Sequence, residues 1–212
     1  GVTGNFRVPG EFGHAVTVTK DNTTLYASDR DMFVFLADEK NRIEIPNRRD
    51  GKTGELARGF FVWNSEVGAA TFGLATFLFD YVCCNRMIWG SAEYKEIKLR
   101  HTASAPDRYI EELAPAIEAY ANGTTHSIVA GIAAAQVARL DDVDAFLLKR
   151  FSARQVEHIK LAHAADEQRP IETVYDATNG ITAYARGVPF QDQRVELERE
   201  AGRVFDSVAQ YA

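Results

Sequence analysis

Along the first half of the chain, apolar and polar residues fall into short, strand-like runs; along the second they recur at helical spacing. Residues 15–19 are short and rich in β-branched side chains, Asp21-Asn22 reads as a turn, and residues 25–27 supply a second strand, so together they predict a hairpin. Residues 32–36 form an apolar run whose type the pattern leaves open. Residues 42–45 alternate and stop at Pro46, as a strand does. Residues 59–63 are aromatic and strand-like. Between Ala69 and Asn85, the positions Phe72, Leu74, Thr76, Leu78, Asp80 and Val82 share one face of a strand, and Gly73, Ala75, Phe77, Phe79, Tyr81 and Cys83 share the other. Both faces are mostly apolar, which predicts a central strand covered on both sides. Residues 87–89 and 94–101 complete the sheet, the latter through the strict alternation of Glu96-Ile97-Lys98-Leu99-Arg100.

After Thr102 the period changes. Ser104-Ala105-Pro106-Asp107 reads as a helix start, followed by Ile110, Leu113, Ile117 and Ala121 at helical spacing. Pro115 predicts a kink and Gly123 a stop. Residues 125–140 form an alanine-rich second helix, and Asp141 caps a short third carrying Val143, Phe146 and Leu147. Ser152-Ala153-Arg154-Gln155 is a capping box opening a fourth helix that buries Val156 and Ile159. Residues 172–186 form a fifth and residues 192–211 a last, with Leu197, Ala201, Val204 and Val208 on one stripe. The expected fold is α+β: a mainly antiparallel N-terminal sheet (residues 1–102) followed by five to six helices (residues 103–212), in one domain.

Composition adds limits. Of 212 residues 46% are hydrophobic, enough for a packed core, and the net charge of −6 argues against a generally cationic nucleic-acid coat. The longest apolar stretch, residues 67–79, is broken by glycines and threonines and followed by Asp80, so no membrane span is expected. No charged segment leading into an apolar one opens the chain, so no signal peptide is expected either. The opening Gly1-Val2-Thr3-Gly4 suits a piece of a longer protein. The two cysteines, Cys83 and Cys84, are adjacent, poorly placed for a disulfide or for zinc, and fit a reducing compartment.

Few constellations carry chemistry. Gly51-Lys52-Thr53 lacks the earlier glycine of a phosphate loop and precedes a strand, which excludes that motif. There is no HExxH; His158 and His163, five apart, project about 140° from each other on a helix. No metal or cofactor is expected. Asn64-Ser65-Glu66 could be catalytic, although with Gly68 nearby the same residue types suit a tight turn; Cys83 with His101 as base, beside Glu66 and Asn85, is a second grouping, although a cysteine buried on a strand behaves as a small hydrophobe. Arg42, Arg48, Arg49, Lys52 and Arg58 cluster around a polar loop with Phe60, Phe61 and Trp63 just beyond. Basic residues interleaved with aromatics can follow a single nucleic-acid strand, with Arg100 and His101 as further phosphate contacts; the same aromatics can equally pack inward.

Three stretches resemble a phage- and plasmid-borne family known as domain of unknown function 932. They are Trp63-Asn64-Ser65-Glu66-Val67-Gly68, the segment Tyr81 to Met87 with its Val-Cys-x-Asn core at Cys83 and Asn85, and Asn179-Gly180-Ile181-Thr182-Ala183-Tyr184; Arg100-His101 precedes the helices as in that family. The resemblance runs from about Gly59 to the C-terminus. It implies a mobile-element protein in the cytoplasm of a bacterial host, but no reaction. The expectation is therefore a non-enzymatic accessory protein that binds single-stranded DNA through Arg48, Arg49, Lys52 and Arg58. The alternatives are a structural or host-interaction protein that self-assembles, and an enzyme centred on Glu66, Cys83 and His101.

Overall fold

The structure, a computed structural model, describes residues 6–7, 25–27, 31–45, 54–65, 67, 71–80, 85–88, 97–100, 102 and 105–210. The fold is α+β. Among the described residues, seven strands, β1 (Phe6–Arg7), β2 (Leu25–Ala27), β3 (Asp31–Ile45), β4 (Gly54–Ser65), β5 (Phe72–Asp80), β6 (Asn85–Met87) and β7 (Ile97–Leu99), form one sheet in the order β1-β3-β4-β5-β6, with β2 also on β3 and β7 also on β5. Helical segments follow: α1 (Ala105–Arg108), a π-turn (Tyr109–Leu113), α2 (Ala114–Asn122), α3 (His126–Val137), α4 (Val143–Leu148), α5 (Ala153–Glu167), α6 (Val174–Arg186), α7 (Gln191–Asp206) and a closing 3₁₀ turn (Ser207–Gln210).

Two compact units share these elements. One draws on Gly1–Arg42, Ala57–Phe77 and Gly90–Thr124, the other on Ile43–Leu56, Leu78–Trp89 and Thr125–Ala212. The partition does not follow the strand-to-helix transition near residue 102, since each unit combines strand and helix residues.

In the first unit, alternation sorts the aromatics of β4 onto two faces. Phe61 stacks on Phe35 with ring centroids 4.3 Å apart, and Trp63 lies 5.1 Å beyond Phe61. Phe77 meets Phe35 edge-on at 5.7 Å. Two glycines make room for these rings: a Cβ on Gly73 would sit 2.0 Å from the Trp63 indole, and one on Gly59 2.3 Å from the Phe77 ring. The opposite face packs Phe60, Leu74 and Leu99 under Leu113, Tyr120 and Ala121. Pro115 does not simply kink the first helix. A π-turn immediately before it widens the turn that its missing N–H and bulky ring disrupt.

The run at 32–36 and the alternating run at 42–45 belong to one strand, β3. The polar interruption between them is held by Asp38, which is fully buried and accepts from the backbone N–H groups of Lys40 (3.0 Å) and Asn41 (3.3 Å) and from the Asn41 side chain (2.8 Å). The expected strand at 15–19 and its turn lie outside the described residues. Strand β5, within the expected 69–85 run, is buried along almost all its length.

In the second unit, Ile43, Ile45, Leu56, Leu78 and Met87 join a core built by α3 to α7. Helix α6 is the hub, packing against α3, α5, α7 and β6. Its approach to α5 is close because Gly180 faces Ile159 and His163; a Cβ there would lie 3.1 to 3.2 Å from both. The local start signals act as the sequence suggests. Ser152 and Gln155 form the capping box of α5, and Thr173 with Asp176 forms a second for α6. The α4 cap is Asp142, one residue later than expected, and it accepts from Ala145 N–H at 2.9 Å.

Candidate functional site

Among the described residues of the family resemblance, Asn85 to Met87 and Asn179 to Tyr184 belong to the second unit. Strand β6, opened by Asn85 opposite Asp80, lies on α6, so the second and third resemblance stretches meet. Asn179 and Thr182 line a recess there with Leu56, Asp80, Met87 and Tyr175. Its volume is about 20 Å³, room for about one water and not for a substrate. Thr182 donates its hydroxyl to the Asn179 carbonyl at 3.0 Å, and Thr178 donates to Val174 at 3.0 Å, so both hydroxyls serve the helix itself. The Tyr184 ring lies 5.7 Å from that of His158. In the first unit, Asn64 is half-buried and Ser65 buried at the end of β4.

Arg58 departs most from its expected role. It is 4% exposed, and its guanidinium donates to the carbonyls of Tyr120 (2.7 Å), Gly123 (2.8 Å) and Ala121 (2.9 Å). Those are the orphan acceptors at the end of α2, where the helix dipole is negative. The cation thus terminates a helix, a job the sequence assigns to Gly123, whose φ of −63° is not left-handed. This removes Arg58 from the expected phosphate-binding set. Arg100 is exposed just after β7. Arg48, Arg49, Lys52, Glu66, Gly68, Cys83 and His101 lie outside the described residues.

A buried ionic group joins the ends of α5 and α6. Burial disfavours the Asp176 carboxylate, yet a bidentate pair with Arg169 and bonds from Glu172 N–H and Thr173 N–H, each 3.0 Å, outweigh it and hold its pKa below the usual carboxylate range. His163, one turn before buried Glu167 on the same helix, is fully buried. Desolvation pushes its pKa down, and Arg169 adds to that; Asp176, Glu167 and a backbone hydrogen bond at Pro170 pull the other way but do not prevail. A neutral, enclosed imidazole and a strongly paired carboxylate fix helices; neither reaches a surface where it could act on a substrate.

A groove of about 720 Å³ runs along α4, α5 and the turn at Pro170-Ile171. Val143 and Leu148 of α4 face it, as do Ala153, Val156, Leu161 and Ala164 of α5. Leu148 is 51% and Leu161 61% exposed, one leucine on each helix. Asp144, Glu157 and Lys160 add charge, and the Lys160 ammonium lies 2.8 Å from the Asp144 carboxylate. Neither leucine belongs to the buried stripes that periodicity identifies. The available signal was negative: an outward leucine between Lys160 and Ala164 that no core position requires. Among the described residues, no three His, Cys, Asp or Glu side chains cluster as a metal site, and no helix is long and apolar enough to cross a membrane. In comparisons with known proteins, the chain matches no family model, no curated protein and no solved structure, so the resemblance to domain of unknown function 932 rests on the residues quoted for it.

Proposed function

We propose that the chain is a non-enzymatic docking protein whose α4–α5 groove takes an amphipathic α-helix of a protein partner. The supporting observation is the pair of exposed leucines, Leu148 and Leu161, set in an apolar channel between two helices. A third helix laid there would bury both, in the helix-in-groove manner. The charges are of both signs, with Lys160 and Asp144 paired and Glu157 beside them, which favours a partner helix carrying acidic and basic residues next to its apolar stripe. The setting the resemblance implies, a mobile-element accessory protein in a bacterial cytoplasm, is compatible with such a role. A fluorescently labelled designed helix with a leucine stripe flanked by Glu and Lys provides the probe. Anisotropy should show saturable binding that Leu148→Glu and Leu161→Glu each weaken. Absent binding, or binding indifferent to both changes, would contradict the proposal.

A second reading, single-strand DNA binding, draws on the adjacency of β3 and β4 in the sheet. The connection between them, residues 46–53, holds Arg48, Arg49 and Lys52 close together in the chain. Replacing all three by Ala should flatten the salt dependence of DNA affinity by about two to three phosphate contacts' worth of slope. Binding that is absent, or insensitive to salt, rules this reading out.

A further inference from the structure

We infer that the helix docked in the groove is α5 of a second copy of this chain, lying antiparallel in a two-fold symmetric pair. This rests on the groove being a helix-docking surface. Along α5, Ala153, Glu157, Lys160, Leu161 and Ala164 fall within about 100° of one face, and Val156 lies at its inner edge. All six line the groove. A two-fold axis crossing between residues 158 and 159 sets each position against the one whose number brings the sum to 317: 153 with 164, 156 with 161, and 157 with 160. Any helix face is symmetric in this way; the chemistry of the pairs is what is particular to this chain. Alanine meets alanine at both ends, where close approach of two backbones needs small side chains. Leu161 meets the apolar floor at Val156. Glu157 meets Lys160, opposite charges at both symmetric positions, where an unrelated face would as often set like charges together.

Several features fit this occupant. Leu161, the more exposed of the two groove leucines, enters the other copy's groove and is covered there, while Leu148 on α4 flanks the seam. Lys160 already lies 2.8 Å from Asp144, so the incoming Glu157 extends an existing ion pair into a three-membered network. The chain's net charge of −6 opposes association, and a single helix seam is small for an interface, so the dimer is expected to be concentration-dependent.

Sedimentation of the whole chain over a wide concentration range tests this. The wild type should pass from the 23.6 kDa monomer toward twice that mass. Leu161→Glu should weaken association about a hundredfold, because two leucines are lost from the seam. Leu161 and Glu157 are both exposed, so unchanged circular dichroism melting serves as the folding control. Glu157→Lys and Lys160→Glu should each weaken it about tenfold, by setting like charges opposite one another twice. An equimolar mixture of those two variants restores both cross-pairs, so it should associate more tightly than either alone. A wild type that stays monomeric throughout, or a mixture no tighter than its components, overturns the inference. If the monomer still binds the designed helix, and Leu161→Glu abolishes that binding, self-pairing alone has failed. If the designed helix does not bind, or is indifferent to both Leu148→Glu and Leu161→Glu, the groove reading fails with it.

Discussion

Arg58→Met tests whether a basic residue of the aromatic strand β4 serves the fold rather than a ligand. The wild-type guanidinium donates three bonds of 2.7 to 2.9 Å to the carbonyls of Tyr120, Ala121 and Gly123. Hydrogen bonds from a charged donor contribute about 1.5 to 3 kcal/mol each, and burying the cation costs several kcal/mol, partly offset by the helix dipole. Methionine fills much the same volume but leaves three carbonyls without their donor. The net loss should be about 3 kcal/mol, or about 6 to 12 °C in melting temperature for a chain of this length. Urea denaturation gives the first figure, and hydrogen exchange of the final turn of α2 should report local fraying ahead of global unfolding. Arg58→Lys should recover only part of the loss, because one ammonium cannot span three acceptors in a fixed fork. Stability within about 0.5 kcal/mol of wild type for Arg58→Met would refute the reasoning, since that is the spread of ordinary surface changes.

Three further outcomes follow from the packing. Gly73→Ala places a methyl 2.0 Å from the Trp63 indole and should cost about 2 to 3 kcal/mol, seen by urea denaturation together with a shifted tryptophan emission. Thr173→Ala removes the hydroxyl that accepts from Asp176 N–H at 3.1 Å, and should cost about 1 kcal/mol. His163 has a folded pKa depressed below its unfolded value of about 6.5, so the unfolded chain binds the extra proton and stability must fall as pH drops from about 6.5 toward the folded pKa. The depressed Asp176 adds a loss of the same sign below its own unfolded pKa of about 4. Replacing His163 by Leu should remove the first loss and leave the second; an unchanged pH profile between 5 and 7 (about the range where an ordinary histidine titrates) would contradict the assignment.

Local signals were legible in the sequence wherever the chemistry is local. The Ser152–Gln155 capping box, the twofold apolar face of β5 and the Leu197, Ala201, Val204 and Val208 stripe depend on neighbours a few residues away, and all occur in the structure. Strand β3 was harder, because polar residues 38–41 interrupt its pattern and a buried Asp38 satisfies the backbone there. Arg58 was not legible as a helix terminator, since its acceptors lie 62 to 65 residues away and nothing in the spacing connects them. The same reason hides the α4–α5 groove. Leu148 and Leu161 are ordinary in the sequence, and only the packing of Phe146, Leu147, Val156 and Ile159 inward leaves them facing out. The resemblance residues Asn179 to Tyr184 stood out in the sequence, and the structure gives most of them packing or helix-bonding partners.

The docking claim is tested most directly by methyl-resolved NMR of the whole chain as the designed helix is added. The leucine and valine methyls of Leu148, Val156 and Leu161 should shift in a saturable manner. Those of Leu74 and Leu99, buried in the other unit, should stay in place. Saturable shifts confined to other residues, or none at all at millimolar probe, would show that the groove is not where this protein meets a partner.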